Sequence, residues 1–184
     1  VANNEGLLSF DGRFWNLHPL PNRTIARSVM AGREHKIFVG GQDELGFYYP
    51  DGSGRLKYES LLNKIAEADR SFGDVWDIVQ VNQDVWFRSA RRIFKYSGTA
   101  IASYPAASEW SFMGSAGGKL FAQDFEKGLM TFENGAWRSV FSEDPIPVWD
   151  LITGIHALEG GQWMVACLKS GLFSTNGEGL KPMM

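Results

Sequence analysis

Cysteine is nearly absent: Cys167 stands alone, so the chain cannot form an internal disulfide, and cysteine usage says nothing about compartment. Long apolar runs are missing too. The longest, Trp163 to Leu168, is strand-sized and far short of the eighteen or so residues of a membrane span. Cations are not in excess: 18 Lys plus Arg against 21 Asp plus Glu give a net charge of -3. That balance excludes a generally basic nucleic-acid binder, which needs surplus cations to displace counterions from phosphates. The opening Val1-Ala2-Asn3-Asn4-Glu5 lacks the basic and apolar regions of a signal peptide and has no initiating Met. The expectation is a segment cut from a longer precursor.

What is present is ordinary for a folded chain of 184 residues, with 44% hydrophobic and 21% charged residues. Aromatics reach 14%, including seven Trp and thirteen Phe, alongside 21 Gly. Many aromatics with many glycines favour short strands and tight turns over helix bundles.

Self-comparison reveals a repeat. Glu5-Gly6-Leu7-Leu8-Ser9-Phe10-Asp11-Gly12 returns as Leu45-Gly46-Phe47-Tyr48-Tyr49-Pro50-Asp51-Gly52, and more weakly as Arg92-Ile93-Phe94-Lys95-Tyr96-Ser97-Gly98. Two further copies begin at Lys127-Gly128-Leu129 and Ser170-Gly171-Leu172. Taking Gly6, Gly46, Arg92, Gly128 and Gly171 as equivalent gives spacings of 40, 46, 36 and 43. The mean, about 41, is the period of propeller blades. Each unit reads as four short strands. These are an apolar run such as Lys36–Gly40, the glycine motif closed by an Asp-Gly, Ser-Gly or Asn-Gly turn, a strand after the turn, and a strand before the next run. Four strands per forty residues predict an all-β fold: a β-propeller arc of about 4–5 four-stranded blade repeats. The repeats fall roughly at 1–32 (partial), 33–81, 82–113, 114–156 and 157–184 (partial). An arc leaves sheet faces uncovered, so self-association is expected. Leu61 to Arg70 departs from the pattern and reads as a short helix in a connection.

These signatures resemble the two-component regulator propeller repeats of bacterial sensor proteins. Ile37-Phe38-Val39-Gly40-Gly41 and Asn4 to Gly12 carry the resemblance best, and the Arg92 unit carries it least. Proteins with this repeat are similar to hybrid histidine kinases, or helix-turn-helix regulators, of Bacteroidetes. In them propellers form an extracytoplasmic sensor ahead of a sandwich domain, one membrane span and signalling domains. The resemblance implies a periplasmic module that senses oligosaccharides released from glycans, joined to further propeller blades and making no membrane contact itself.

Aligning the innermost strands gives Ala26-Arg27-Ser28-Val29, Val75-Trp76-Asp77-Ile78, Glu109-Trp110-Ser111-Phe112 and Val148-Trp149-Asp150-Leu151. Arg27, Trp76, Asp77, Trp110, Trp149 and Asp150 are the candidate ligand-binding residues. At a channel mouth, indole faces stack on sugar rings while Arg and carboxylates bond hydroxyls. The competing reading wedges the tryptophans between blades and uses the acids to close turns. No catalytic residue, metal site or cofactor is expected. His18, His35 and His156 lack ligand spacing, and neither a Gly-x-Ser-x-Gly elbow nor a Gly-rich phosphate loop opens a helix. A structural scaffold for protein–protein contact stands as a second hypothesis, and a carbohydrate-active enzyme as a third.

Overall fold

The computed structural model describes residues 1–143, 145–147 and 149–183. Among these residues, alternating apolar and polar side chains between glycine- and aspartate-rich turns make nineteen strands, each paired antiparallel to a chain neighbour. The first sheet holds β1 (Ala2–Asn3), β2 (Gly6–Phe10) and β3 (Trp15–His18). The second holds β4 (Ala26–Ala31), β5 (Ile37–Gly41), β6 (Leu45–Pro50) and β7 (Leu56–Ser60). The third holds β8 (Val75–Val81), β9 (Asp84–Ser89), β10 (Arg92–Tyr96) and β11 (Ile101–Pro105). The fourth holds β12 (Trp110–Ala116), β13 (Lys119–Asp124), β14 (Gly128–Glu133) and β15 (Ala136–Ser139). The fifth holds β16 (Ile152–Ala157), β17 (Trp163–Cys167), β18 (Gly171–Thr175) and β19 (Lys181–Pro182). These sheets are the blades of a β-propeller arc.

The sheets are offset from the sequence repeat. A repeat drawn at 33–81 ends on β8, whereas the sheets close at 26–60 and 75–105, so each blade begins with the strand that the repeat places last. The final sheet also has all four strands, the last only two residues long.

Two compact units form, residues 1–105 and 106–184. In the first, Phe38, Leu45, Phe47, Phe72, Val75, Phe87 and Phe94 make the main core, and Leu7, Leu20, Val39 and Tyr48 make a second cluster. The second unit packs Phe121, Leu129, Phe141, Val165 and Cys167. The expected helix at Leu61–Arg70 is two single 3-10 turns, Leu62–Lys64 and Glu67–Asp69, broken by extended backbone at Ile65. Its apolar spacing serves the core instead: Leu61, Ile65 and Phe72 are all buried, which pulls the segment down and prevents a continuous helix. Among the described residues no helix is long and apolar enough to cross a membrane.

The motif glycines answer two different needs. At Gly46 a β-carbon would lie 2.2 Å from the Glu59 carbonyl oxygen, so close strand approach excludes any side chain. Gly128 and Gly171 instead have φ of 72° and 93°, the left-handed turn conformation that glycine adopts without strain.

Candidate functional site

Every complete sheet begins with the same irregularity. Ala26 and Ser28 pair with the consecutive residues Gly41 and Gly40, leaving Arg27 as an extra, bulged residue. Trp76 is bulged in the same way between Val75 and Asp77, Ser111 between Trp110 and Phe112, and Thr153 between Ile152 and Gly154. The structural equivalents are therefore Arg27, Trp76, Ser111 and Thr153. The sequence alignment is right for the first two, displaced by one residue at Trp110 and by four at Trp149. All four strands carry the bulge at the same place, so the displacement comes from matching tryptophans by residue type rather than by position in the sheet.

The consequences differ at each position. Trp110 takes the place of Ala26 and Val75: it is 2% exposed, its ring 4.9 Å from that of Trp137. Trp149 lies in the turn before β16 and is 55% exposed; Val148, aligned beside it, lies outside the described residues, as does Asp144 in the same connection. Asp150 is buried, and its carboxylate accepts the backbone N–H groups of Lys169 and Ser170 at 2.9 Å. Hydrogen bonding at Ser170, opposed by burial and assisted by the backbone of Lys169, holds that carboxyl below the usual range.

In the first unit, the structure brings Arg27, Trp76 and Asp77 to the starts of two adjacent first strands, β4 and β8. Ser28 Oγ ties these strands by donating to the Val75 carbonyl at 2.7 Å. The Arg27 guanidinium lies 5.1 Å from the Trp76 ring centre, a cation–π contact. Its Nε is 3.2 Å from Asp74 Oδ1. Asp77 accepts from Arg88 Nε at 2.5 Å, and Arg88 is itself buried. Trp76 remains 47% exposed. The result is an exposed indole with a fixed cation over one face and two carboxylates alongside: donors, acceptors and an apolar plane on rigid strands.

In the second unit, Trp149 carries a cation likewise, with Lys169 Nζ 5.2 Å from its ring centre. Gln123 holds the backbone beneath it, donating to the Asp150 carbonyl and accepting from Ile152 N–H, both at 2.9 Å. Phe125, Leu151 and Leu168 are also exposed in this unit. Trp110 does not join this surface.

Arg88, Gln123 and Lys169 escaped the sequence reading. Arg88 and Gln123 directly follow the apolar runs 85–87 and 120–122 within their strands, and that abrupt change was the available signal. Among the described residues no group of three or more His, Cys, Asp and Glu is arranged to hold a metal ion. His18 accepts or donates a bond with Ser9 Oγ at 2.8 Å, and its ring packs on Tyr48, but among the described residues no carboxylate orients the imidazole.

No family model matches the chain, and no curated protein matches it. Solved structures do. The extracellular domain of BT4673 from B. thetaiotaomicron, assigned to a one-component system in one structure and a hybrid two-component system in another, superposes with TM-scores of 0.70 and 0.68. Identity is 19% and 18%, over 95% and 94% of this chain but 25% of that one. PorZ, a surface component of the type-IX secretion system of Porphyromonas gingivalis, matches at TM-score 0.62 and 14% identity, covering 100% of this chain and 24% of its own. A catalytically inactive virginiamycin B lyase from Staphylococcus aureus with quinupristin gives 0.62 and 16%, over 96% of this chain and 62% of its own. The chain thus spans about a quarter of the BT4673 domain, and these likenesses establish the shared fold.

Proposed function

We propose that the chain is part of a ligand-sensing, extracytoplasmic propeller of a bacterial two-component-type sensor, responding to glycan-derived oligosaccharides. The observation that carries this reading is the Arg27–Trp76 pair: an exposed indole on a bulged strand start, steadied by a guanidinium and flanked by Asp74 and Asp77. Pyranose rings present an apolar C–H face and equatorial hydroxyls, which such a plate and such charges fit. The likeness to the BT4673 extracellular domain supports a sensor placed outside the cytoplasm. Trp149 with Lys169 offers a second surface of the same composition.

The lyase likeness favours an enzyme as the second reading. Turnover of an added ligand would decide for it. The test of the sensor reading is tryptophan fluorescence during titration with a panel of glycan-derived oligosaccharides. A saturable change in the wild type, abolished by Trp76→Ala with the fold intact, is expected. No change with any member, or a change untouched by both Trp76→Ala and Trp149→Ala, overturns it.

A further inference from the structure

The opposite ends of β4 and β8 carry a second arrangement of polar and aromatic groups. Five to six residues of extended chain separate it from Arg27 and Trp76, about 15–20 Å by strand rise. Here the turn from β4 to β5, the turn from β8 to β9 and the turn from β10 to β11 surround a cavity of about 280 Å³. Its walls include Arg33, Glu34, Lys36, Gln80, Gln83 and Tyr96. Glu34, Lys36 and Tyr96 also border an adjoining open groove, whose far side is Tyr49, Pro50 and Glu59.

The floor is rigid and aromatic. Phe38, Phe47 and Tyr96 are buried and mutually packed, Phe47 and Tyr96 stacked at 6.1 Å, and the half-buried Tyr49 continues the series at 6.0 Å from Phe47. Tyr96 is locked by donating its hydroxyl to the Gly98 carbonyl. The rim alternates in character: Lys36 Nζ bonds Glu34 at 2.9 Å and lies 5.1 Å from the Phe47 ring centre, while Glu59 stands across the groove. Arg33 and Gln83 are exposed on two different turns, and their side chains are engaged in no hydrogen bond or ion pair among the described residues.

The backbone that presents them is strained. Glu34 and His35 have φ of 55° and 57°, and Asn82, beside Gln83, has 57°. Left-handed backbone costs a non-glycine residue roughly 1–2 kcal/mol. Such strain gathers where side chains are held for a ligand, and here Glu34 and His35 carry it on the β4–β5 turn, Asn82 being a residue type that adopts this backbone readily.

We infer that this groove is a second binding site, distinct from the Trp76 surface, for a neutral pyranose saccharide of about two rings. Balanced charges (Arg33 and Lys36 against Glu34 and Glu59, with Lys36 and Glu34 paired) favour no net charge on the ligand. Amide, guanidinium and carboxylate groups alternate around an aromatic wall, as bidentate recognition of vicinal hydroxyls requires.

The test is saturation-transfer NMR on the protein with cellobiose, maltose, lactose and mannobiose as probes. Wild type, Trp76→Ala, Arg33→Ala and Gln83→Ala are compared; the last two are exposed turn positions whose truncation leaves the core untouched. Expected is transfer to the ring protons of at least one disaccharide, retained in Trp76→Ala and weakened at least about tenfold in Arg33→Ala and Gln83→Ala, the loss of a charged or paired hydrogen bond. Absence of transfer from all four probes overturns the inference. So does transfer that vanishes in Trp76→Ala but persists in both turn variants, an outcome that leaves the sensor reading standing.

Discussion

Arg27 and Trp76 occupy the same bulged position in neighbouring sheets, and the guanidinium of one lies 5.1 Å from the ring centre of the other. Equivalent positions on adjacent blades thus make a pair that neither blade could make alone. The bulge turns each side chain out of the ladder while the flanking residues stay paired, so exposure costs little core. Trp76→Ala should therefore shift stability by less than about 1 kcal/mol, the scale of an exposed cation–π contact. Trp110→Ala, one residue out of that register and packed against Trp137, should cost about 3–5 kcal/mol. Urea melts of the two variants measure the difference directly; equal losses would refute the register.

Asp124 closes the turns of its blade by itself. Its two oxygens accept the N–H groups of Ala107, Ser108, Glu126 and Lys127 and the Ser108 hydroxyl, at 2.8–3.1 Å. Burial pushes this carboxyl up, but the hydrogen bonds from Ser108, Lys127 and Glu126 together outweigh it and hold it below the ordinary value of 3.8. A folded pKa below the unfolded one gives stability that is present above the unfolded value and lost as pH falls through the folded one. Asp124→Asn places an amide donor among donors and should cost about 1–3 kcal/mol at neutral pH. Acid titration of stability should show the gap between wild type and variant narrowing below pH 3.8.

Glu44 shows the opposite sign. It is 2% exposed and accepts bonds from the Ser60 and Tyr58 hydroxyls at 2.8 and 3.1 Å, with no cation paired to it among the described residues. Burial raises its carboxyl above the ordinary 4.5, the Ser60 and Tyr58 hydrogen bonds opposing only in part. The folded state then binds the proton more tightly than the unfolded chain, so stability falls as pH rises from 4.5 through the folded value. Nearby, burial and the Glu44 charge push the Tyr48 hydroxyl up to about 12. Glu44→Gln should gain on the wild type as pH rises through this window. Paired thermal melts across acid to neutral pH check it, and a pH-independent difference would show that Glu44 titrates alike in the folded and unfolded states.

Much of the blade architecture was legible because it depends on local chemistry. Gly46 answers a steric demand from Glu59, and Asp11 accepts the N–H groups of Arg13 and Phe14 to close its own turn, so both leave fixed marks in the repeat. Strand β11 left none, since Ile101–Pro105 mixes small and polar residues whose pairing is decided by β10. The candidate site was less legible for a related reason. Residue type does not report position in a sheet: Trp110 sits one residue before its strand's bulge and Trp149 four, yet both align by type with the bulged Trp76. Partners such as Asp74 for Arg27 and Lys169 for Trp149 are set by turns between strands, and no spacing rule reaches them.

The first sheet turns an apolar face outward. Phe10 and Trp15 are cross-strand partners with ring centres 4.9 Å apart, 54% and 60% exposed, and Leu17 on the same strand as Trp15 is 40% exposed. Residues of this kind on one side of a sheet are worth roughly 1.5–3 kcal/mol each when covered. Alternation places Trp15 and Leu17 on one side of β3 and His18 on the other, where it meets Ser9 and Tyr48 of the first unit's interior. The outward face therefore has the composition of a blade-to-blade contact, and the isolated chain should self-associate through it. Sedimentation equilibrium over a range of concentrations should show a dimer or larger species for the wild type. Phe10→Ser with Trp15→Ser should return a monomer with its melting transition nearly unchanged, since neither ring enters the core. A wild type that stays monomeric at high concentration would mean that this face tolerates water.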